Sequence, residues 1–221
     1  MKICSTYSAV VFGALCSVAS ICTAAEPASI GSNATFVAFD TETTGVAAAR
    51  DRIVEIGAVK FRGGAVLEYR SWLINPGTPI PKAAQLIHGI TDEMVARQPG
   101  FSAVAAEFFA FVDGCVLFAH NARFDAGFLA AEAHRANLEP PSLAIVDSLA
   151  LCRNWYPDRK SYSLDTLCKD LAIPKPHLHR AMSDADCVRQ VVLKAAEAGW
   201  PVDFDTAGRT PKAVVTVSPR P

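Results

Sequence analysis

Asp40 and Glu42 are two acidic residues that stand two positions apart, directly after an apolar run. The run, residues 36–39, is typical of a strand buried on both faces. Strand side chains two positions apart point to the same face, so the two carboxylates would lie side by side. Neighbouring carboxylates repel unless a cation neutralises them, and Mg²⁺ and Mn²⁺ prefer oxygen ligands. The pair is therefore half of a candidate metal site, although such a triplet also occurs in solvated turns.

Two further acids and a histidine lie where helices are predicted to begin. Asp125 falls in the first turn of an alanine-rich helix, and Asp184 falls in the first turn of a helix that Ser183 can cap. His179 lies in the loop before that second helix. The helix dipole stabilises a carboxylate in a first turn, so each acid also has a purely structural explanation. Taken together, four acids on three segments beside a loop histidine are what hydrolysis with two metal ions requires.

These segments belong to a mixed pattern of strands and helices. Strands are predicted at 36–39, 53–61, 66–74, 115–119 and 143–146, with a hairpin turn at Gly63-Gly64. Helices are predicted at 81–87, after Thr91, at 102–112, at 124–136, and near Ser148, Ser163 and Ser183. Residues 213–217 could add an edge strand. Strands first, followed by alternating helices and strands, predict an α/β sandwich.

Three acidic segments resemble, in order, the motifs of the DEDDh (DnaQ-like) 3′-to-5′ exonucleases, the family of the proofreading epsilon subunit of bacterial DNA polymerase III. Residues 37–45 (VAFDTETTG) resemble the first motif, residues 120–125 (HNARFD) the second, and residues 179–185 (HRAMSDA) the third. Residues 87–94 (IHGITDEM) resemble the segment beside the substrate. The resemblance covers about residues 36–199 and implies a ribonuclease-H-like fold, with a five-stranded mixed sheet flanked by helices.

The resemblance also implies roles for the acids and the histidine. Asp40, Glu42 and Asp184 would bind two divalent ions, Mg²⁺ or Mn²⁺, directly, with Asp40 bridging, and Asp125 would act directly or through a water. His179 would be the general base. Metal binding lowers the pKa of water, and an imidazole that titrates near neutrality can accept the proton of that water as it attacks.

The resemblance also implies which residues contact the substrate. The residues that border the terminal nucleotide would be Thr43, His88, Asn121 and Phe124. Phe124 could instead be a core residue, and His88 could simply close a helix before Gly89. Arg159, Lys160 and Arg180 could steer phosphates or be solvated surface charges. His177, the rival general base, stands two residues outside the third motif, and we expect it to have a structural or solvent role.

The implied enzyme is a metal-dependent 3′-to-5′ exonuclease that releases nucleoside 5′-monophosphates, with single-stranded 3′ ends of DNA as the favoured substrate. Two alternatives are an exoribonuclease using the same site and a catalytically silent nucleic-acid-binding module. A zinc protein using Cys168, His177, His179 and Cys187 is disfavoured because these residues lack paired short ligand spacings. The sequence contains neither a Gly-x-Ser-x-Gly motif nor a phosphate-binding loop, which disfavours serine hydrolases and nucleotide triphosphatases.

The ends of the chain differ from its middle. We expect residues 1–25 to be a signal peptide, 26–33 a linker, 34–200 the exonuclease domain and 201–221 a short tail. The leader's apolar run, residues 8–22, is short for a membrane span, which needs about 20 residues, so no stable span is expected. The protein would then be periplasmic or extracellular, or cytoplasmic if translation starts later. An exported protein would not meet the replisome, so a polymerase partner is disfavoured, and the oligomeric state is left open.

Charge and cysteine content add few constraints. The net charge of −1 excludes a generally basic protein, so any contact with nucleic acid depends on a local patch or on bound cations. With 221 residues, 51% of them hydrophobic, the chain can bury one substantial core. Three of the seven cysteines lie in the leader. The other four each lie in an apolar segment, and we expect no obligatory disulfide among Cys115, Cys152, Cys168 and Cys187.

Overall fold

A computed structural model describes residues 34–174, 179–200 and 214–217. Six strands lie within these residues: β1 (Phe36–Thr43), β2 (Ile53–Arg62), β3 (Ala65–Leu73), β4 (Val116–Ala119), β5 (Leu143–Asp147) and β6 (Val214–Val217). They form one mixed sheet in the order β3-β2-β1-β4-β5-β6. Strand β1 is antiparallel to β2 and parallel to β4, and β4 is parallel to β5. The carboxyl ends of β1, β4 and β5 therefore meet at one edge of the sheet, which is where α/β proteins build their sites.

Helices cover both faces of the sheet. In chain order they are α1 (Lys82–His88), α2 (Asp92–Val95), α3 (Phe101–Val112), α4 (Arg123–Arg135), α5 (Ser148–Trp155), α6 (Leu164–Asp170) and α7 (Ala181–Glu197). On one face, α3 and α4 enclose a core around Phe39, Phe108 and Phe128. On the other face, α5, α6 and α7 enclose a second core that includes Phe118 and Val188. This layered arrangement confirms the predicted α/β, ribonuclease-H-like fold.

The predicted strands and helices are found with small shifts, and two differences affect the site. Strand β1 continues to Thr43 because β2 stays paired beside it, so Asp40 and Glu42 lie within the strand rather than after its end. Helix α7 begins at Ala181, so Ser183 lies inside the helix, and the prediction that it caps the helix was wrong. Residues 214–217 form the suggested edge strand, antiparallel to β5. The sheet within the described residues therefore has six strands, whereas the resemblance implied five.

Several sequence predictions fall outside the described residues: the signal peptide and linker at 1–33, His177, and most of the tail. Within the described residues, no helix combines the length and the apolar character that crossing a membrane would need. Among the residues that the structure describes, none of Cys115, Cys152, Cys168 and Cys187 takes part in a disulfide.

Candidate active site

Three carboxylates converge beside strand β1. One oxygen from each of Asp40, Glu42 and Asp184 lies within 4.8 Å of the others. Asp40 and Glu42 share a face of β1, and α7 brings Asp184 onto that face because it packs across β1 and β2. Oxygen ligands of one divalent ion lie about 2.0–2.6 Å from it, so a cluster of this size fits such an ion after small side-chain adjustments. The hard oxygen donors suit Mg²⁺ or Mn²⁺ better than zinc, which favours nitrogen and sulfur ligands.

The start of α7 lies directly against β2, and a glycine makes this approach possible. Gly57 is the cross-strand partner of Asp40 in the β1–β2 ladder. A Cβ atom at Gly57 would overlap the backbone nitrogen of Met182 and the carbonyl carbon of Ala181. Sequence reasoning missed Gly57, although a glycine in the middle of an apolar strand signals close approach of another backbone.

Glu55 is a second residue that sequence reasoning missed. It is only 1% exposed, and its carboxylate accepts bonds from Arg180 Nε at 3.0 Å, Arg180 Nη2 at 2.8 Å, the Ala181 amide at 3.1 Å and Ser71 Oγ at 2.8 Å. Burial alone would raise its pKa, but the bonds from Arg180, Ser71 and Ala181 outweigh burial and hold the pKa of Glu55 below its usual value. The available signal was a charged residue within the apolar run IVEIGAV.

The three basic residues considered for phosphate steering differ in their surroundings. Arg180 is held by Glu55, with its charge near Glu42, so its observed role is structural. Arg159 is paired with Asp170 and lies over the ring of Tyr156. Lys160 is exposed. Both arginines thus form ion pairs with acidic residues of the protein itself.

Asp125 is not one of the three acids whose oxygens lie within 4.8 Å of one another. It is 2% exposed, and Thr41 Oγ1 donates a 2.8 Å hydrogen bond to its Oδ1. Burial raises the pKa of Asp125 to about 7, and the charge of Asp147 adds to the increase, while bonds from Thr41 and from its own amide oppose it. Thr41 lies between Asp40 and Glu42 in β1. Through Thr41, Asp125 is therefore hydrogen-bonded to the strand that carries both of these carboxylates.

The loop of the second motif is fixed by the end of β5. His120 lies between Ser148 Oγ at 3.0 Å from Nδ1 and the Tyr162 carbonyl oxygen at 2.8 Å from Nε2. A carbonyl can only accept, so Nε2 carries the hydrogen, and burial is the main cause that lowers the pKa of His120. Asn121 has a left-handed backbone with φ of 65°, and its amide donates to Asp147 Oδ1 at 3.0 Å. Asp147, which also caps α5, was not singled out from the sequence.

His179 and His88 lie close enough to influence each other electrostatically, in the loop before α7 and at the end of α1. The side chain of His179 is 42% exposed, its φ is 52°, and its Nε2 lies 3.8 Å from Asp165 Oδ2. His88 is buried, and its Nδ1 accepts a 3.0 Å bond from the Ile90 amide. Burial lowers the pKa of His88, whereas the Thr43 backbone opposes this change. His88 thus closes α1 and also faces the carboxyl end of β1.

The remaining predicted substrate contacts are placed as follows. Thr43 is buried at the end of β1, and its hydroxyl donates to the Gly45 carbonyl at 2.6 Å. Asn121 is exposed. Phe124 packs against Phe128 with ring centroids 4.8 Å apart and borders the core, which fits the simpler explanation for this residue. The structure therefore gathers Thr43, His88 and Asn121 around the same end of the sheet as the acids.

A sheet of this kind with three carboxylates gathered at its central strand is an arrangement that can hold divalent ions for phosphodiester hydrolysis. The chain matches the exonuclease family RNase_T over residues 37–191, which is more than half of its length. It therefore belongs to this exonuclease family, and these residues carry a 3′-to-5′ exonuclease domain.

Three known proteins illustrate the similarity. The DNA polymerase III epsilon subunit of Treponema pallidum is 41% identical over 152 residues, which cover 68% of this chain and 71% of the relative. Exonuclease X, solved in complex with 5′ overhanging duplex DNA, is 29% identical with a TM-score of 0.60, covering 75% of this chain and 94% of that chain. Escherichia coli exonuclease I, solved with a dT13 oligonucleotide, shares the fold at 22% identity and a TM-score of 0.66, covering 75% and 41%.

Other relatives are far longer than this chain. The chain is 37% identical over 162 residues to the PolC-type DNA polymerase III of Caldanaerobacter subterraneus, where the match covers 73% of this chain but only 12% of the relative. The similarity to these polymerases is thus confined to a single domain.

Proposed function

We propose that the protein removes nucleoside 5′-monophosphates from single-stranded 3′ ends of DNA, using two divalent ions, Mg²⁺ or Mn²⁺. The observation that carries this proposal is the cluster of Asp40, Glu42 and Asp184, whose oxygens lie within 4.8 Å of one another beside an exonuclease-family sheet. Two ions would supply an activated water and charge stabilisation for the leaving 3′ oxygen.

The residues of this chain would have separate tasks. Asp40, Glu42 and Asp184 would hold the ions. Asp125, held by Thr41 outside the cluster, fits a ligand that acts through a water better than one that acts directly. His179 accepts the proton of the attacking water, and its exposed side chain at the start of the third motif allows it to reach a bound substrate end.

Substrate contacts would come from the carboxyl end of β1 and its surroundings. Thr43 and the backbone up to Gly45 border the terminal nucleotide, as do His88 and Asn121. Phe124 contributes chiefly by packing against Phe128. DNA is favoured because the epsilon subunit and exonuclease X, whose structure contains DNA, are similar over most of this domain. An exoribonuclease acting through the same site is the second candidate.

The organisation of the chain is also part of the proposal. We propose that residues 34–200 form the exonuclease domain, followed by a tail at 201–221. Residues 1–25 would be a cleaved signal peptide and 26–33 a linker, which makes the enzyme a nuclease that acts outside the cytoplasm without a polymerase partner. N-terminal sequencing of the native protein after cell fractionation tests this point, and a protein found only in the cytosol with its leader intact would contradict it.

The activity test uses 5′-labelled single-stranded DNA, 3′-recessed duplex DNA and single-stranded RNA, each with Mg²⁺, Mn²⁺ or a chelator. We expect metal-dependent, stepwise shortening of the labelled strand from its 3′ end, fastest on single-stranded DNA, and its loss in His179→Ala. His177→Ala is the matched control and should stay active. The reverse result for the two histidines would show that His177 is the base, and no release from any substrate would favour a silent binding module.

A further inference from the structure

We propose that Glu55 and Gly57 of β2 are the positioning residues that set Asp184 in the metal-binding cluster. This inference rests on the proposed metal-dependent function. Metal ligands have to be held within about 0.5 Å of their productive position, and they depend on supporting contacts for that accuracy. Asp40 and Glu42 gain their positions from the central strand, whereas Asp184 lies on a helix that follows a loop. The start of that helix therefore needs an anchor of its own.

Glu55 supplies the anchor through the two residues that open α7. Its carboxylate receives both Arg180 nitrogens and the amide of Ala181. The amide of Asp184 in turn donates to the Arg180 carbonyl at 3.0 Å. Only one helical turn thus separates the buried carboxylate of Glu55 from the backbone of Asp184. Helix α7 has no side-chain cap of its own at Arg180, so the carboxylate from β2 takes over part of that task.

Gly57 provides the second constraint, which is steric. Any side chain at this position would overlap backbone atoms of Ala181 and Met182, which cannot move aside as a flexible side chain could. The helix start therefore fits against β2 at this glycine.

The two anchoring residues on β2 are direct cross-strand partners of the two proposed metal ligands on β1. Gly57 pairs with Asp40, and Glu55 pairs with Glu42. Directly paired residues in a sheet point to the same face, which is the face that α7 covers. The strand pairing therefore fixes the anchor relative to two metal ligands, and the anchor fixes the third.

A purely structural role of Glu55 would lower stability without changing metal affinity, and the chain contains a matched pair for separating the two effects. Glu132 is also 1% exposed, accepts Arg52 Nε at 2.7 Å and Nη2 at 2.9 Å, and accepts the Ile53 amide at 3.1 Å. Its surroundings are similar, with Arg135 Nη1 at 3.3 Å where Glu55 has the Ser71 hydroxyl, but it lies seven residues beyond Asp125 on α4. Glu55→Gln and Glu132→Gln therefore remove equivalent charges at different distances from the metal ligands.

The test measures Mn²⁺ binding to the full chain by calorimetry without DNA, and Mn²⁺ activation of nuclease activity. We expect Glu55→Gln to weaken Mn²⁺ binding and raise the half-activating concentration by about tenfold or more, as losses of supporting contacts do. Glu132→Gln should change both by less than about twofold at a temperature where circular dichroism shows both variants folded.

Unchanged Mn²⁺ affinity in folded Glu55→Gln, with only a lower melting temperature, would overturn the positioning role. Wild-type protein that binds Mn²⁺ but degrades no nucleic acid would contradict the proposed function alone, because the binding comparison would still decide the role of Glu55. Wild-type protein that binds no Mn²⁺ would overturn both. Gly57→Ala gives an independent check, since it leaves every charge in place and should weaken Mn²⁺ binding in the same direction.

Discussion

Two buried glutamate–arginine pairs join β2 and the residue before it to the helices that carry Asp184 and Asp125, the two acids proposed to act from helices, but the pairs lie at different positions relative to those acids. Glu55 contacts the residues that open α7, one turn before Asp184. Glu132 lies seven residues after Asp125, which corresponds to about two turns of helix. The first pair contacts the start of α7 one turn before Asp184, whereas the second contacts α4 about two turns after Asp125. Similar chemistry therefore serves local geometry in one region and general stability in the other.

The acids themselves show the same contrast. Asp184 belongs to the carboxylate cluster, and Asp125 is turned toward Thr41 outside it. A ligand in direct contact with an ion contributes more to the stabilisation of the transition state than one that acts through a water. Substitution of the acids should therefore separate the α7 region from the α4 region most strongly, and substitution of the residues that support them should do so less.

The largest effect is expected for Asp184→Asn, which keeps the volume of the side chain but removes a charge from the cluster. We expect kcat to fall by about a thousandfold or more, corresponding to about 4 kcal/mol of transition-state stabilisation. Asp125→Asn should reduce kcat by about ten- to a hundredfold under the same conditions. Steady-state rates on single-stranded DNA at saturating Mg²⁺ measure both. Equal losses would show that Asp125 joins the cluster when metal is bound.

The second-largest effect is expected in the pH dependence of folding stability, and it should come from Asp125 on α4. The unfolded chain releases the Asp125 proton near pH 4, whereas the folded, metal-free protein keeps it until about pH 7. Between these values the folded state binds more protons, so raising the pH destabilises it, by an amount on the order of a few kcal/mol. Urea unfolding in chelator from pH 4.5 to pH 8 measures this loss. Asp125→Asn is the control, because its stability should lack this component.

Glu132→Gln should mainly cost stability. The substitution leaves Arg52 without its charged partner, but the Arg52 side chain is 28% exposed and water can solvate part of it. We expect a loss of about 2 kcal/mol in the free energy of unfolding, less than for a fully buried pair. Activity below the melting transition should stay within about twofold of wild type. A large fall in kcat for the folded variant would show that the α4 pair also controls catalytic geometry.

Ser71→Ala should have the smallest effect. Ser71 donates one of the bonds to Glu55 from the neighbouring strand β3. Its loss should cost about 1 kcal/mol of stability, because the carboxylate keeps its bonds from Arg180 and Ala181. Metal affinity should not change measurably. Thermal melting beside a Mn²⁺ titration gives both numbers, and a weakened affinity would mean that the position of Glu55 depends on this single hydroxyl.

Sequence reasoning found the parts of the site that depend on local spacing. Alternation along an apolar strand was enough to place Asp40 and Glu42 side by side, and the motif resemblance added Asp184. The order of strands and helices was equally readable, because hydrophobic periodicity and turn residues are properties of short segments.

The supporting contacts were missed because they join distant parts of the chain. Glu55 and Arg180 are 125 positions apart, and nothing in the spacing of either segment indicates that they meet. The same contact explains why the Ser183 cap was wrong, since an acceptor from β2 meets the Ala181 amide and the helix begins at Ala181, three residues before the start that a Ser183 cap implies. Asp147 was missed for a similar reason, as its bond to the Asn121 amide joins the ends of two strands.

The direct pairing of these residues of β1 and β2 also has a consequence for misfolding. A slip of one residue between these strands would replace the Asp40–Gly57 and Glu42–Glu55 pairs together. The positions of the two proposed ligands, of the Glu55 anchor and of the start of α7 would then all be lost in one step. A chain with this sheet assembled wrongly would then be inactive rather than weakly or indiscriminately active. The native register of β1 and β2 is therefore a condition for assembling the proposed site.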